Sequence, residues 1–360
     1  MSIVSWLRMC GICNGRVCMY GVRKYANRPH SNGTTAIECL ANRGIIRVSG
    51  PEVSGFLQGL ITNDMRHFEE GACSMYTFFL NIKGRVLCDT IIYRTEENNV
   101  YFIECDANFV HLLQKHLKLF RVRKKIEIEG IDNLLKVWVV YRPDIAENSK
   151  LASSYQNGVT EAVQLDTVKK HFSCPNIVTS RDPRLPALGV RVLCPAEFDV
   201  DAIKSLDNQI PAENKINYRM LRYRLGVAEG IDDLPPEKCF PLEVNCDYLH
   251  GVSFHKGCYI GQELTARTHH TGVVRKRIMP LIFDLIPKNG FIPDMPIVST
   301  SSPKVIGKLR GAEKDVGLGM LRIAEALECP TFHISDGTGE TYKPTWWPQS
   351  LPKDRSSVIK

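Results

Sequence analysis

Residues 255–277 read HKGCYIGQELTARTHHTGVVRKR. One thiol, Cys258, stands between Gly257 and Gly261 and shares the stretch with three histidines, five Lys/Arg and a single acid, Glu263. Turn chemistry at Gly257, with Ile260 and Leu264 four apart beyond it, predicts a helix starting near Cys258 with those two residues on its buried side. In the first turn of a helix a thiol meets unpaired backbone N–H groups and the positive end of the dipole. His255, Lys256 and Arg267 add positive potential, and all these effects favour thiolate over thiol. A thiolate attacks electrophiles, and it also binds iron or zinc; the local sequence does not separate the two. Nor does one cysteine complete an iron–sulfur site. Cys239, Cys246 and the histidines have no spacing that closes one, so a cluster at this loop needs ligands from a second protein. The competing reading is a packed structural cysteine in a glycine turn, with Arg275-Lys276-Arg277 as a solvated strand edge.

Outward from this stretch the chain has 360 residues, 44% hydrophobic and 24% charged, ordinary values for a globular protein with a normal core. No apolar run approaches the ~18 residues that cross a bilayer. The net charge of +7 is concentrated at one end: residues 1–37 carry Arg8, Arg16, Arg23, Lys24 and Arg28 and no acid. The remainder holds 41 basic against 39 acidic residues, which argues against nucleic acid as a partner. An acid-free, Arg-rich leader with Trp6, Leu7 and Met9 interleaved has the pattern of a mitochondrial targeting peptide over 1–25, with a processing site near Arg23-Lys24-Tyr25. Of the 13 cysteines, Cys10 and Cys13 fall inside that leader and have no second pair at matching spacing. Cys39, Cys73, Cys88, Cys105, Cys174, Cys194 and Cys329 lie singly among apolar residues, the pattern of buried free thiols in a reducing compartment.

Strands are predicted at 44–48, 76–81, 85–93, 100–104, 125–129 and 136–140, with helices at 51–60 and 108–120. Ile82-Lys83-Gly84 closes a hairpin. The mixture lacks βαβ spacing and reads as α+β with antiparallel pairing. Residues 144–180 read as a polar, variable excursion. Helices follow at 199–207 and 213–225, the second ended by Gly226. From 276 onward five short strands (278–283, 295–299, 305–310, 316–321 and 331–335) suggest a small barrel or sandwich. The aromatic–basic alternation at 218–225 can suggest RNA, but at helical spacing it means one buried and one charged face. Trp346-Trp347 in the tail is expected to fold back on the body.

Lys256–Glu263 fits K-G-C-[FY]-x-G-Q-E, the signature of the YgfZ-type folate-binding proteins, relatives of the glycine-cleavage aminomethyltransferase. The chain resembles that family at further motifs in the same order: Phe56–Met65 (FLQGLITNDM), Leu80–Tyr93 (LNIKGRVLCDTIIY), Asp182–Arg191 (DPRLPALGVR), Tyr218–Gly230 with Pro241-Leu242-Glu243, and Gly317–Arg322 (GLGMLR). The resemblance extends from about residue 36 to 340 and, with the leader, is to the mitochondrial cluster-assembly branch of the family.

The resemblance implies a ring-like, aminomethyltransferase-type folate-binding domain over 36–272 (excursion 144–180), a C-terminal β-barrel over 275–343 and a tail, 344–360. It implies a factor of the mitochondrial matrix acting late in 4Fe–4S protein maturation, with no turnover of its own. Cys258 is then a transient thiolate ligand sharing an iron–sulfur cluster with an A-type carrier, and 4Fe–4S apoproteins are the clients. For a tetrahydrofolate pocket it points to Asn63, Asp64, Asn81, Arg85, Asp89, Tyr218, Arg219, Glu243, Gln262 and Glu263. The alternative is a folate-dependent aminomethyl transferase. The aminomethyltransferases carry two adjacent acids where this chain has Cys88-Asp89, so one candidate base is missing.

Overall fold

β-Branched and aromatic residues cluster in short runs, and those runs pair into two antiparallel sheets. The computed structural model describes residues 35–146, 163–171, 177–198 and 216–348. One sheet has five strands: β2 (Arg43–Ser49), β3 (Ser74–Leu80), β4 (Val86–Arg94), β5 (Val100–Asp106) and β6 (Glu127–Gly130), in the order β3-β4-β5-β2-β6. The other has four: β1 (Ala36–Cys39), β7 (Leu135–Tyr141), β8 (Val178–Arg181) and β9 (Val190–Pro195), in the order β1-β7-β9-β8. Helix α1 (Val53–Gln58) buries Val53, Phe56 and Leu57, and α2 (Val110–Arg121) buries Val110, Leu113 and Leu117. Both helices join the five-stranded sheet in one apolar cluster with Ile46, Val48, Phe79 and Ile92.

Among the described residues the predicted strands and the helices at 51–60, 108–120 and 213–225 are found, with shifts of a few residues. The excursion at 144–180 is more ordered than its polarity suggests, since it contains a helix, Leu165–His171, and β8, which pairs with β9. Helix α3 (Tyr218–Leu225) starts later than expected because the Asn217 side chain accepts from Met220 N and caps it there. Gly226, left-handed at φ 74°, ends it. The expected helix at 199–207 and the leader lie outside the described residues.

Six C-terminal strands, β10 (Lys276–Leu285), β11 (Pro296–Ser299), β12 (Val305–Glu313), β13 (Val316–Arg322), β14 (Thr331–Ile334) and β15 (Gly337–Thr341), close into a barrel in the order β10-β13-β12-β11-β14-β15. The sequence reading missed β15, GTGET, which has no apolar alternation. Gly339 is needed there because a Cβ would fall 2.2 Å from Ile282 O and 2.9 Å from the Phe332 ring. Helix α3 packs between barrel and sheets, and Trp346 Nε1 donates to Leu225 O at 2.7 Å, so the tail folds back as expected as far as Pro348. The aromatics of α3, Tyr218 and Tyr223, are buried together with Arg222, whereas Arg219 and Arg224 lie on its half-open side, so one face is buried and the other carries charge, as expected.

The cysteines divide. Cys88, Cys105 and Cys194 are buried as expected, whereas Cys39 and Cys329 are half-buried and Cys73 is exposed. Cys174 lies outside the described residues. Among the described residues no helix is long and apolar enough to cross a membrane.

Candidate functional site

The thiol loop is built from its neighbours inward. Lys256 turns back beneath it: its Nζ donates to Gln58 O at 2.7 Å, Ile61 O at 2.7 Å and Asn63 O at 2.6 Å. Burial pushes this ammonium down to about 8, with the Asp64 carboxylate opposing the fall. The same Nζ stands 5.0 Å from the centre of the buried Tyr259 ring. Ile260 N donates to Gly59 O at 3.1 Å, fixing the loop to the end of α1. Gly257 and Cys258, between these anchors, are exposed.

Helix α4 runs Gln262–Thr271 and therefore begins four residues after Cys258. The expected start at the cysteine is overturned by Gly261, whose left-handed φ of 77° interrupts helical geometry just ahead of Gln262. Cys258 thus sits in the approach to α4, outside its first turn. Lys256 gives its charge to the carbonyls of Gln58, at the end of α1, and of Ile61 and Asn63 beyond it. What the loop provides is an exposed sulfur on a backbone anchored on both sides.

The β3–β4 hairpin completes the loop's setting. Asn81 Oδ1 accepts from Lys83 N at 2.9 Å and Arg85 N at 3.0 Å, and Gly84 takes φ 73°. Arg85 lies over the Phe240 ring at 4.4 Å, and its Nη1 donates to Lys238 O at 3.4 Å. Gln262 Oε1 accepts from Tyr259 N at 3.2 Å, and Glu263 is exposed. Gly84 abuts Gly261, which sets the hairpin carrying Asn81 and Arg85 against the loop carrying Cys258, Gln262 and Glu263, while Asn81 Nδ2 itself donates to Glu237 Oε1 at 3.1 Å.

The other expected folate residues divide among separate tasks. Asn63 Nδ2 donates to Tyr76 O at 2.8 Å and His250 O at 2.7 Å, while its Oδ1 accepts from Asp64 N. Hydrogen bonds from Arg66, with Gln58 helping and burial opposing, hold the Asp64 carboxyl far below the usual range. Glu243 Oε2 accepts from Phe240 N at 3.0 Å, capping the turn Pro241–Val244. Arg219, on the half-open side of α3, donates from Nε to Tyr223 OH at 2.8 Å. Asp89 and Tyr218 lie deeper, in a charge network.

That network joins both sheets and α3. Arg43 Nε and Arg191 Nη1 each donate to Glu104 Oε1 at 2.7 Å, and Tyr93 OH donates to Glu104 Oε2 at 2.6 Å. Arg184 Nη2 meets Asp182 Oδ2 at 2.7 Å and Glu229 Oε2 at 2.8 Å; Arg191 also pairs with Glu229. Tyr218 OH contacts Arg191 at 3.1 Å and Arg184 at 3.3 Å. Burial disfavours the Glu229 carboxylate, yet Arg191, Arg184 and Arg222 outweigh it and hold the group well below the usual range. Asp89 goes the other way: burial raises it, and Arg43 at 3.7 Å only opposes the rise. The sequence reading gave no role to Arg43, Glu104, Asp182, Arg184, Arg191 or Glu229. The available signal was charged residues embedded in strand-like apolar runs, as in GVRV and YFIEC.

The fit to tetrahydrofolate rests on unsatisfied atoms. Arg43 Nη1 and Nη2, Asp89 Oδ2 and Arg184 Nη1 are buried without a hydrogen-bond partner among the described residues. They offer donors and one acceptor to a polar ring edge, so Asp89, Arg43 and Arg184 fit the group. Asn63, Asp64, Glu243 and Tyr218 are occupied by protein partners.

Family models match both parts of the chain: the GCVT N-terminal domain over residues 38–141 and the CAF17 C-terminal beta-barrel domain over residues 275–349. The fold is similar to the glycine cleavage system aminomethyltransferase T from Bartonella henselae, with a TM-score of 0.61 at 12% identity over 88% of this chain and 87% of that one. Fold and site together define an aminomethyltransferase-like, folate-binding-type scaffold that ends in a barrel and displays one exposed thiol in a glycine loop. The chain is 36% identical to the mitochondrial iron–sulfur cluster assembly factor IBA57 of Homo sapiens, covering 89% of this chain and 87% of that protein. It is 35% identical to that of Mus musculus (86% and 84% covered), and 32% identical to the IBA57 homolog of Aspergillus fumigatus (99% and 87%). The chain belongs to the IBA57 family of mitochondrial iron–sulfur cluster assembly factors.

Proposed function

We propose that this protein acts in the mitochondrial matrix in late maturation of 4Fe–4S proteins, with Cys258 lending one thiolate to a cluster shared with an A-type carrier. The observation that carries the reading is an exposed sulfur on an anchored loop that lacks a closed ligand set. Among the described residues, no three His, Cys, Asp or Glu side chains come together where they could hold a metal ion. The remaining bonds to the cargo cluster then come from the carrier's own cysteines, and release to a 4Fe–4S apoprotein requires breaking one bond on this side. The test is anaerobic mixing of the protein with a cluster-loaded A-type carrier, followed by visible absorption. Cys258→Ser is expected to abolish the stabilised cluster signal while leaving the circular dichroism unchanged; an undiminished signal sinks the reading.

The second reading is a tetrahydrofolate-dependent aminomethyl transferase, favoured by the buried Oδ2 of Asp89, which is ion-paired with Arg43 at 3.7 Å but accepts no hydrogen bond among the described residues. Bound tetrahydrofolate would supply the one-carbon acceptor, with Asp89, Arg43 and Arg184 orienting its polar edge. It predicts a tetrahydrofolate-dependent rise in melting temperature and turnover of an amine donor, both sensitive to Asp89 and indifferent to Cys258.

A further inference from the structure

A single thiolate bond does not hold a protein partner in register, so the surface beside Cys258 must supply more contact. The β3–β4 hairpin tip is that neighbour. A Cβ on Gly84 would lie 2.9 Å from Gly261 O, so tip and thiol loop touch backbone to backbone. Ile82 is two residues before that contact and Cys258 three before it, each within ~11 Å of it at ~3.5 Å per residue. Ile82 is 80% exposed, the highest value among the exposed large hydrophobics of the described residues. Turn positions favour Gly, Asn, Asp and Ser, so nothing in the turn itself calls for an isoleucine. The tip is also rigid, since Asn81 clamps it through two backbone N–H groups and Gly84 N donates to Asn81 O at 2.9 Å. A rigid, exposed apolar side chain loses little entropy on docking and suits an anchor.

Charge identifies the other side. Lys83, Arg267, Arg275 and Lys276 are exposed on the tip and on residues 255–277, against two exposed acids, Glu263 in those segments and Glu237, which accepts from Asn81 Nδ2 at 3.1 Å beside the tip. A surface of this sign accepts a net-negative face, and a thiolate-ligated cluster adds to that negative charge.

We propose that Ile82 and Lys83 form, with the Cys258 loop, the docking rim for the cluster-carrying partner: Ile82 enters an apolar depression beside the partner's cluster and Lys83 meets a carboxylate at its edge. This rests on the reading of Cys258 as a cluster ligand. The test uses the full chain as wild type, Ile82→Asp, Lys83→Glu and Cys258→Ser, each mixed anaerobically with cluster-loaded A-type carrier. The complex is followed by size-exclusion chromatography and the cluster by visible absorption. Ile82→Asp is expected to weaken the complex about tenfold or more, with an unchanged melting temperature. Lys83→Glu should weaken it by an amount that shrinks as ionic strength rises. If Ile82→Asp binds like wild type while Cys258→Ser loses the cluster signal, the docking rim is overturned and the cluster reading stands. If Cys258→Ser keeps the signal, the cluster reading itself falls. If Ile82→Asp converts a dimer of this chain to monomer and leaves the carrier complex intact, a second copy occupies the tip and the proposal is wrong.

Discussion

Gly261 presses on Asn81: a Cβ added at Gly261 would fall 2.4 Å from the Asn81 carbonyl oxygen, at a backbone φ of 77° that L side chains rarely adopt. Hairpin and thiol loop therefore share one glycine-dependent seam. Gly261→Ala combines left-handed strain with a backbone clash and is expected to cost more than ~2 kcal/mol. It should also lower cluster stabilisation with the carrier, because the loop must move off the hairpin. Gly257→Ala is the control: a Cβ there meets nothing within 4 Å, and its melting temperature should match wild type. Thermal melts of the two variants settle the point, and equal melts would remove the seam from the account.

Lys256 makes the second tie. Its ammonium has three protons for three carbonyls, and Gln58, Ile61 and Asn63 accept all of them. Lys256→Met keeps the stem but strands three partly buried acceptors, with an expected loss of ~2–4 kcal/mol at charge-assisted strength per bond less the relief of burying a cation. Arg is not a substitute, since its planar fork cannot converge on three oxygens around one point. Urea unfolding midpoints of the Met and Arg variants below wild type are the expected result; a Lys256→Arg variant as stable as wild type would contradict the convergent geometry.

The strands and helices of this fold were legible because their apolar spacing is local information, as in Val110, Leu113 and Leu117 on α2. The start of α4 was not. Gly257 and the spacing of Ile260 and Leu264 suggested a helix at Cys258, while the left-handed turn at Gly261 depends on packing against Asn81, a residue 180 positions away. Lys256 reads in sequence as positive potential at the thiol for the same reason: its carbonyl partners are contributed by α1 and the segment after it. Likewise Arg184, Arg191 and Glu229 are charged residues whose burial becomes intelligible only when two sheets and α3 bring them together. The single folate pocket expected from one set of motifs resolves into a hairpin face and a deep network, because motif order in a chain does not specify which side chains already have partners.

Arg191 is the hub of that network, touching Glu104, Asp182, Glu229 and Tyr218 from a fully buried position. Arg191→Met takes one of two cations from each of Glu104, Asp182 and Glu229, which keep Arg43 or Arg184, in an interior that water does not reach. Breaking such a pair from one side costs ~3–5 kcal/mol. The double variant Arg191→Met with Glu104→Gln should recover part of that loss, because the stranded charge is removed with its partner. Denaturant midpoints for the singles and the double measure the coupling; additive losses would mean the two side chains do not depend on one another.

Asp89 gives a pH-dependent test. Burial raises its carboxyl above the ordinary range, and Arg43 opposes the rise without cancelling it. A folded-state pKa above the unfolded one means that the folded chain holds the proton more tightly. Stability from this group therefore falls as pH climbs through the ordinary carboxylate range toward the raised value, and levels off beyond it. Asp89→Asn keeps an oxygen for Gly230 N, which donates to Oδ1 at 2.9 Å, and removes the titration. The stability of wild type minus that of Asp89→Asn should accordingly decline as pH rises above about 4, the ordinary aspartate value. A difference that grows in favour of wild type would show the Arg43 attraction outweighing burial. The same pair of proteins separates the two functions. Loss of a tetrahydrofolate-induced melting shift in Asp89→Asn, with cluster stabilisation intact, would assign the deep network to folate and the thiol loop to iron.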